Sequence, residues 1–113
     1  MGVKMVSYFV RYRGAAENPE AFVSYYRAQH AQILKKFPGI RSLVLHTLAA
    51  FKDPFPVMPA GSCLLAQMVF DDPAALQRAL VSPARREARE DFSRFPRFLG
   101  EVTHEALAQE VIF

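Results

Sequence analysis

The chain has 113 residues, 51% of them hydrophobic, and a formal net charge of +3. This length suits a single domain, residues 1–113, and so modest a charge gives no reason to expect a nucleic-acid partner. The single cysteine, Cys63, excludes a disulfide within the chain and favours a reducing cytoplasm. No apolar run approaches the roughly 20 residues of a membrane-spanning helix, so no membrane partner is expected.

The first predicted element is a β-strand over residues 3–13, where Val, Tyr and Phe predominate. A helix should follow, because Asn18 can cap its N-terminus and Pro19 suits its first position. Pro38-Gly39 is typical of a helix end, so this helix is predicted to run to about Lys36.

Two further strands and a long connection come next. Residues 40–50 and 62–71 are rich in aliphatic side chains and are predicted to be strands two and three. The connection between them, residues 51–61, contains Pro54, Pro56 and Pro59. It is therefore predicted to be a loop, which could close over a cavity or serve as a plain connector.

The C-terminal part repeats the helix–strand order. A helix is predicted over residues 72–82 with Asp72 as its cap, and a second helical piece from Pro83 to about Phe95. Residues 98–113 are predicted to form strand four with a tail. The resulting order, βαββαβ, predicts an α+β ferredoxin-like fold, in which one antiparallel sheet has its helices on one face.

Apolar side chains are predicted on both faces of this sheet. Alternation along strand one places Tyr8 and Val10 on one face and Met5 and Phe9 on the other, and strands two and three repeat the pattern. Helices can cover only one face, so a second sheet, a ligand or both should cover the other. The expected assembly is a homodimer, a dimeric α/β barrel with a cavity between its two sheets.

The first helix carries a histidine among apolar residues. On a wheel at about 100° per residue, an arc of roughly 120° holds the residues predicted to be buried. They are Phe22, Val23, Tyr26, His30, Ile33, Leu34 and Phe37. Burial lowers the pKa of an imidazole, so His30 could act as a general base near pH 7, with Tyr26 supplying a hydroxyl. The alternative is a core histidine that donates to a backbone carbonyl.

The segment PARREAREDFSRFPRF, residues 83–98, interleaves arginines with Glu87, Glu90 and Asp91. Mixed charges at helical spacing predict a solvent-exposed helix face with i,i+4 ion pairs. The interleaved acids also argue against a groove for nucleic acid.

The stretch NPEAFVSYYRAQHAQILKKFPGIRSLVLH, residues 18–46, resembles the signature of EthD-type proteins of the dimeric α/β-barrel superfamily. The matching residues are Phe22, Tyr25, Tyr26, His30, Leu34, Pro38 and Gly39. The later REDFSRF, with Asp91 and Phe95, resembles the acidic–aromatic segment of that family. One departure is Gln32, where the family often has proline two residues after the histidine. Its backbone N–H predicts a straighter helix.

The resemblance implies the same fold, a homodimer and a role in catabolic or oxidative metabolism. EthD-type proteins are associated with ether degradation beside a cytochrome monooxygenase. Related small barrels isomerise lactones, cyclise polyketides or oxygenate aromatic rings without a metal, and some larger relatives bind haem. Three interpretations stay open. They are a cofactor-free isomerase, lyase or oxygenase, a non-catalytic accessory protein that binds a hydrophobic ligand, and a haem-binding monooxygenase.

The predicted catalytic residues are His30 and Tyr26, acting on a small apolar or aromatic molecule. The candidate residues for the cavity walls are Tyr8, His46, Phe92, Phe95 and Phe98. His104 on strand four could lie at the rim. Neither a compact metal-ligand spacing nor a Gly-rich phosphate loop is present, so no metal and no cofactor is predicted.

Overall fold

The computed structural model describes residues 4–113, so Val3, the predicted first residue of strand one, lies outside the described residues. The strands are β1 (Val6–Ala16), β2 (Ser42–Thr47), β3 (Ser62–Phe70) and β4 (Phe98–Ala108). All neighbouring strands pair antiparallel, in the order β2-β3-β1-β4. This is the ferredoxin-like fold, and the predicted fold class is confirmed.

The helical segments are α1 (Pro19–Tyr25), a π segment (Tyr26–His30), α2 (Ala31–Leu34), α3 (Pro73–Leu80), α4 (Pro83–Asp91) and a 3₁₀ turn (Phe92–Arg94). Both predicted caps are confirmed. The Asn18 side chain accepts from the Ala21 N–H at 3.1 Å, and the Asp72 side chain accepts from the Ala75 N–H at 2.8 Å. In each case a proline follows the cap, where its missing N–H costs no hydrogen bond. Among residues 4–113, no helix is long and apolar enough to cross a bilayer.

The first helix departs from the regular form that its sequence predicts. Over Tyr26–His30 the backbone forms a π segment, and the Ala31 N–H donates to the Tyr26 carbonyl five residues back. The Gln32 side chain donates to the Arg27 carbonyl at 3.3 Å, which gives a carbonyl of the widened turn a partner. The regular helix is therefore interrupted over this segment, while the straighter axis expected from Gln32 stays a prediction.

The core lies between the helices and one face of the sheet. Alternate residues of β1 point into it, namely Val6, Tyr8, Val10 and Tyr12. From the first helical region, Phe22, Tyr26, His30, Leu34 and Phe37 are buried, whereas Val23 and Ile33 are half-buried against the same core. The helical wheel thus predicts the buried side of this region correctly.

The opposite face of the sheet is less apolar than the strand alternation predicts. Phe9 and Leu65 lie half-buried on it. Between them a chain of side-chain hydrogen bonds joins His46, Gln67, Ser7 and Gln109. The prediction of a continuous apolar second face is therefore wrong, because a row of polar side chains that bond to one another interrupts it. The loop over residues 51–61 is irregular, as predicted.

Two glycines face each other where β1 pairs with β4. Gly14 and Gly100 are directly opposite, with φ angles of 133° and 156°. A Cβ on either would clash with the backbone of the other strand, at the Leu99 or the Arg13 carbonyl oxygen. No other residue type fits this close approach.

We predict that Gly100→Ala lowers the free energy of unfolding by about 3 kcal/mol, through strain and steric overlap. The matched control is Gly61→Ala, since Gly61 also has positive φ but a Cβ there would meet no atom within 4 Å. It should cost only about 1 kcal/mol. Urea denaturation measures both values, and equal losses would contradict the close approach as the cause.

Candidate active site

A pocket of about 290 Å³ lies between the sheet and the helices. The sheet contributes Tyr8, Val10, Tyr12, Met68, Val102 and His104. The helical side contributes Tyr26, His30, Leu34, Phe37, Arg85, Ala88, Arg89 and Phe92. The sequence places the cavity between the two sheets of a dimer, whereas this pocket belongs to the helical side of a single chain. The expected position is corrected accordingly, because His30 points to the helical face of the sheet.

His30 is paired with a carboxylate from α4, the neighbouring helix on the same face of the sheet. Its Nδ1 lies 2.9 Å from Oδ2 of Asp91, and the two residues are only 6% and 4% exposed. The second carboxylate oxygen, Oδ1, accepts from the Tyr25 hydroxyl at 2.7 Å and lies 3.7 Å from Nη1 of Arg94. Both oxygens of Asp91 are therefore held, and the carboxylate is fixed in front of the imidazole.

The protonation state of this pair follows from its surroundings. Burial disfavours the charged form of Asp91, but hydrogen bonds from Tyr25 and His30 outweigh that effect and keep its pKa below the usual value. Burial lowers the pKa of His30, although the bond to Asp91 acts in the opposite direction. The imidazole is therefore neutral near pH 7. Since a carboxylate can only accept, Nδ1 carries the hydrogen and Nε2 carries the lone pair.

Three polar atoms at the pocket have no hydrogen-bond partner among residues 4–113. Nε2 of His30 and the hydroxyls of Tyr12 and Tyr26 make no hydrogen bond to another described residue, and all three residues line the pocket. No buried side-chain N or O atom in residues 4–113 is left without a partner. These atoms therefore keep a small exposed area, although Tyr12, Tyr26 and His30 are only 2%, 1% and 6% exposed, and all three residues line the same pocket. Desolvation raises the pKa of both tyrosines, so their hydroxyls stay protonated donors.

Aromatic rings fix the orientation of the imidazole. Phe95 meets the His30 ring edge-on, with centroids 4.7 Å apart, and the Tyr26 ring lies 4.9 Å away on a tilted plane. Tyr26 in turn packs edge-on against Tyr12 at 5.9 Å. Such contacts stabilise one ring orientation and exclude water from its sides.

The other end of the pocket is basic. The Tyr8 hydroxyl and Nδ1 of His104 are hydrogen-bonded at 2.8 Å, and the Arg85 guanidinium lies over the Tyr8 ring at 5.7 Å. Burial, together with the charges of Arg85 and Arg89, lowers the pKa of His104. His104 therefore lies in the pocket wall, close to its expected place at the rim.

The predicted solvent-exposed face of the arginine-rich helix is confirmed, since Arg86, Glu87, Arg89 and Glu90 are exposed, but one side of the helix also borders the pocket. Arg85 and Arg89 line the pocket, and Asp91 is buried against His30. Of the acids in this segment, Glu87 pairs instead with Lys36 at 2.6 Å. Arg85 and Arg89 thus border the pocket, whereas Arg86 and Glu87 on the same helix are exposed outside its wall.

The structure brings together some of the predicted site residues and separates others. Tyr8, Tyr26, His30 and Phe92 line the pocket. Phe95 packs behind His30, and Phe98 packs on Phe22 in the core. His46 lies on the opposite face of the sheet, bonded to Gln67 at 3.1 Å. The three histidines therefore do not converge, and within residues 4–113 no group of three metal-binding side chains is found.

Sequence reasoning missed Asp91, Tyr12, Arg85 and Arg89 as site residues. For α4 a signal was present, because Arg85, Ala88, Arg89 and Phe92 follow the i, i+3, i+4, i+7 spacing of one helix face. For Asp91 the only signal was its place in REDFSRF, because its bond to His30 joins residues 61 apart in the sequence.

Several solved structures have this fold. An EthD family protein from Bacillus halodurans superposes with a TM-score of 0.74 at 22% identity, over 94% of this chain and 99% of that chain. A hydroxynitrile lyase from Passiflora edulis gives 0.67 at 14% identity, over 97% of each chain. A mutant of SnoaB, a cofactor-independent oxygenase from Streptomyces nogalater, gives 0.63 at 19% identity, over 97% of this chain and 98% of that chain. No curated protein sequence matches this chain. At these identities the likeness shows the fold alone.

Fold and site together define a small ferredoxin-like α+β protein with a histidine–carboxylate pair in an aromatic pocket. The EthD domain matches residues 15–96, which include the first helical region and all of α4. The chain therefore belongs to the EthD family, and the resemblance found in its sequence is confirmed.

We predict that Asp91→Asn lowers the pKa of His30 further, because the carboxylate is what favours the imidazolium there. NMR titration of the imidazole should show this shift, together with an altered population of the Nδ1–H tautomer. Asp71→Asn is the matched control, since Asp71 pairs with Arg41 on the surface. An unchanged titration in Asp91→Asn would contradict the assigned pair.

Proposed function

We propose that the chain is a small-molecule enzyme of catabolic or oxidative metabolism that needs no cofactor. In this proposal His30 is the general acid/base for an apolar or aromatic ligand in the pocket. The observation that carries it is the His30–Asp91 pair, which leaves the Nε2 lone pair open to an aromatic cavity. A histidine that only fills the core would not need a buried carboxylate to select its tautomer.

The chemistry follows from this geometry. Nε2 takes a proton from a C–H or O–H group of the ligand, and Asp91 stabilises the imidazolium that results. The negative charge left on a ligand oxygen accepts a hydrogen bond from the Tyr26 or the Tyr12 hydroxyl. The imidazolium then gives the proton to another atom of the ligand, which completes an isomerisation, or to the leaving group, which completes an elimination. In an oxygenation the deprotonated carbon would instead add dioxygen, and the imidazolium would protonate the peroxide that results.

The shape of the pocket supports a compact planar ligand. Its volume of about 290 Å³ lies near the lower end of the range for small-molecule sites. The walls are largely aromatic and aliphatic, and the polar atoms are few and convergent. A porphyrin is far larger than such a pocket, so the haem-binding alternative gains no support from it.

The similar structures support an enzyme without defining the reaction. One is a cofactor-independent oxygenase and another is a hydroxynitrile lyase, so this fold serves at least two kinds of chemistry. The choice of a proton-transfer role for this chain rests on its own His30 and Asp91. A non-catalytic binding role for the same pocket is the competing proposal, and turnover separates the two.

We predict that the protein accelerates hydrogen–deuterium exchange at the α-carbon of 1-indanone, a flat enolisable ketone, in D₂O. In this probe reaction a C–H bond breaks, Nε2 holds the proton, and a deuteron returns to the same carbon. His30→Asn should lower the rate on the order of 100-fold or more, as expected for loss of a general base. One-dimensional ¹H NMR follows the exchange.

His46→Asn is the matched control, because His46 lies on the opposite face of the sheet. It should retain the wild-type exchange rate. Wild-type exchange in His30→Asn would exclude His30 as the base. Binding of 1-indanone without any acceleration by the wild type would favour the accessory, ligand-binding role.

We further propose that two chains pair through the open sheet faces as a homodimer. Phe9 and Leu65 lie half-buried there, Val44 is 41% exposed, and the hydrogen-bonded row from His46 to Gln109 runs among them. A sheet face of this composition is typical of an interface that is apolar with satisfied polar groups.

The expected result is a dimer in sedimentation equilibrium at micromolar concentration. Val44→Arg should shift the protein to monomers, because it places a charge within the proposed interface. Val81→Arg, at an exposed position next to α3 on the helical side, should leave the dimer intact. A folded wild-type monomer at this concentration would refute the pairing.

The free thiol of Cys63 agrees with the proposed cytoplasmic location. Cys63 is half-buried and unpaired, and burial raises the pKa of its thiol. A thiol of raised pKa is a poor nucleophile and is stable under reducing conditions.

A further inference from the structure

The charged residues that line the pocket are both arginines. Arg85 and Arg89 lie one turn apart on α4, and no acidic residue of residues 4–113 is among the lining residues. Neither Arg85 nor Arg89 belongs to an ion pair within residues 4–113. The neighbouring acids have other partners, since Glu87 pairs with Lys36 and Asp91 with His30 and Arg94. Arg85 is half-buried and Arg89 is exposed, and because neither has an ion-pair partner among the described residues, their charges make this part of the pocket positive.

Arg85 lies at the opposite end from the proposed base, and Arg89 lies one turn nearer to that base on the same helix. Arg85 contacts the Tyr8 ring, whose hydroxyl bonds His104, whereas His30 contacts Asp91 at the last residue of α4. Six residues of helix separate Arg85 from Asp91, a rise of about 9 Å at 1.5 Å per residue. A ligand that spans the pocket therefore meets a positive charge at one end and an imidazole at the other.

We propose that the pocket selects a planar organic acid, with its carboxylate held by Arg85 and Arg89 and its reacting end at His30. This assignment depends on the proposed function only in placing the reacting part of the ligand at His30. The binding of the carboxylate by the arginines does not depend on it. A guanidinium matches the two oxygens of a carboxylate, and the Tyr8–His104 pair supplies a further polar contact. The aromatic walls between the two ends accept the flat body of the ligand.

The apolar lining favours a carboxylate over a more highly charged anion. Between the two arginines and His30, the pocket wall consists mainly of Val10, Tyr12, Leu34, Phe37, Met68, Ala88 and Phe92. A singly charged acid neutralises part of the positive potential while its rings replace water along these side chains. A phosphate would bring a second charge and no apolar surface.

The test compares 2-naphthoate with 2-naphthamide, which has the same rings and no charge, by isothermal titration calorimetry. The wild type should bind the naphthoate at least tenfold more tightly than the amide. Arg85→Gln and Arg89→Gln should each weaken naphthoate binding about tenfold and leave amide binding within twofold, so that the preference nearly disappears.

Arg86→Gln is the matched control. Arg86 is exposed on the same helix and is absent from the pocket wall, so this variant makes the same change in net charge. It should leave naphthoate binding within twofold of the wild type. Equal affinity of the wild type for both probes would overturn the proposal, as would undetectable naphthoate binding at millimolar concentration or an equal loss in Arg86→Gln.

Binding and proton transfer are separated by one further variant. His30→Asn should keep the preference for naphthoate, because the carboxylate lies at the other end of the pocket. Loss of 1-indanone exchange in His30→Asn with this preference intact supports both proposals. If exchange does not depend on His30, the proposed function fails. The proposed preference for the acid is still tested separately by Arg85→Gln and Arg89→Gln.

Discussion

The hydrogen bond between His30 and Asp91 is the contact on which the rest of the site depends. It joins the first helical region to the end of α4 and connects residues 61 apart in the sequence. Because both partners are buried, loss of either one would leave the other without its partner, at a cost of about 1–3 kcal/mol. The same bond selects the tautomer of the imidazole and turns Nε2 towards the pocket. Stability and chemistry are therefore coupled through one contact.

Helix α4 gives the pocket its polarity. Its first turns carry Arg85 and Arg89 towards the sheet, and its last residue is the carboxylate that holds His30. Glu87 of the same helix faces outward and pairs with Lys36. One short helix thus carries positive charge along an aromatic pocket and, at its end, the carboxylate that holds an imidazole. In the proposed function, this polarity would orient an asymmetric ligand before proton transfer.

Much of the fold could be predicted from short-range patterns. Asn18-Pro19 and Asp72-Pro73 mark helix starts because cap and proline act within one turn. The wheel places His30 in the core because the period of a helix is fixed by its backbone geometry. Alternation along β1 identifies the buried side of the sheet for the same kind of reason. Each of these inferences depends on residues close together in the chain.

What could not be predicted depends on residues that are far apart in the chain. No spacing rule links Asp91 to His30. The sequence therefore could not show which of the acids in the mixed-charge helix is the partner of the imidazole. The apolar pattern of β1 also could not tell which sheet face would border a cavity. The polar row from His46 to Gln109 was missed because each of its members comes from a different strand or its flank.

The π segment explains how residues spaced by four stay aligned. In an ideal α-helix, a step of four residues overshoots a full turn by about 40°, so three such steps drift by about 120°. Phe22, Tyr26, His30 and Leu34 follow this spacing, yet all four are buried. Between Tyr26 and His30 the backbone is wound more loosely, with more residues in each turn. The under-wound stretch offsets part of this rotation. The imidazole and its flanking side chains therefore all face the sheet.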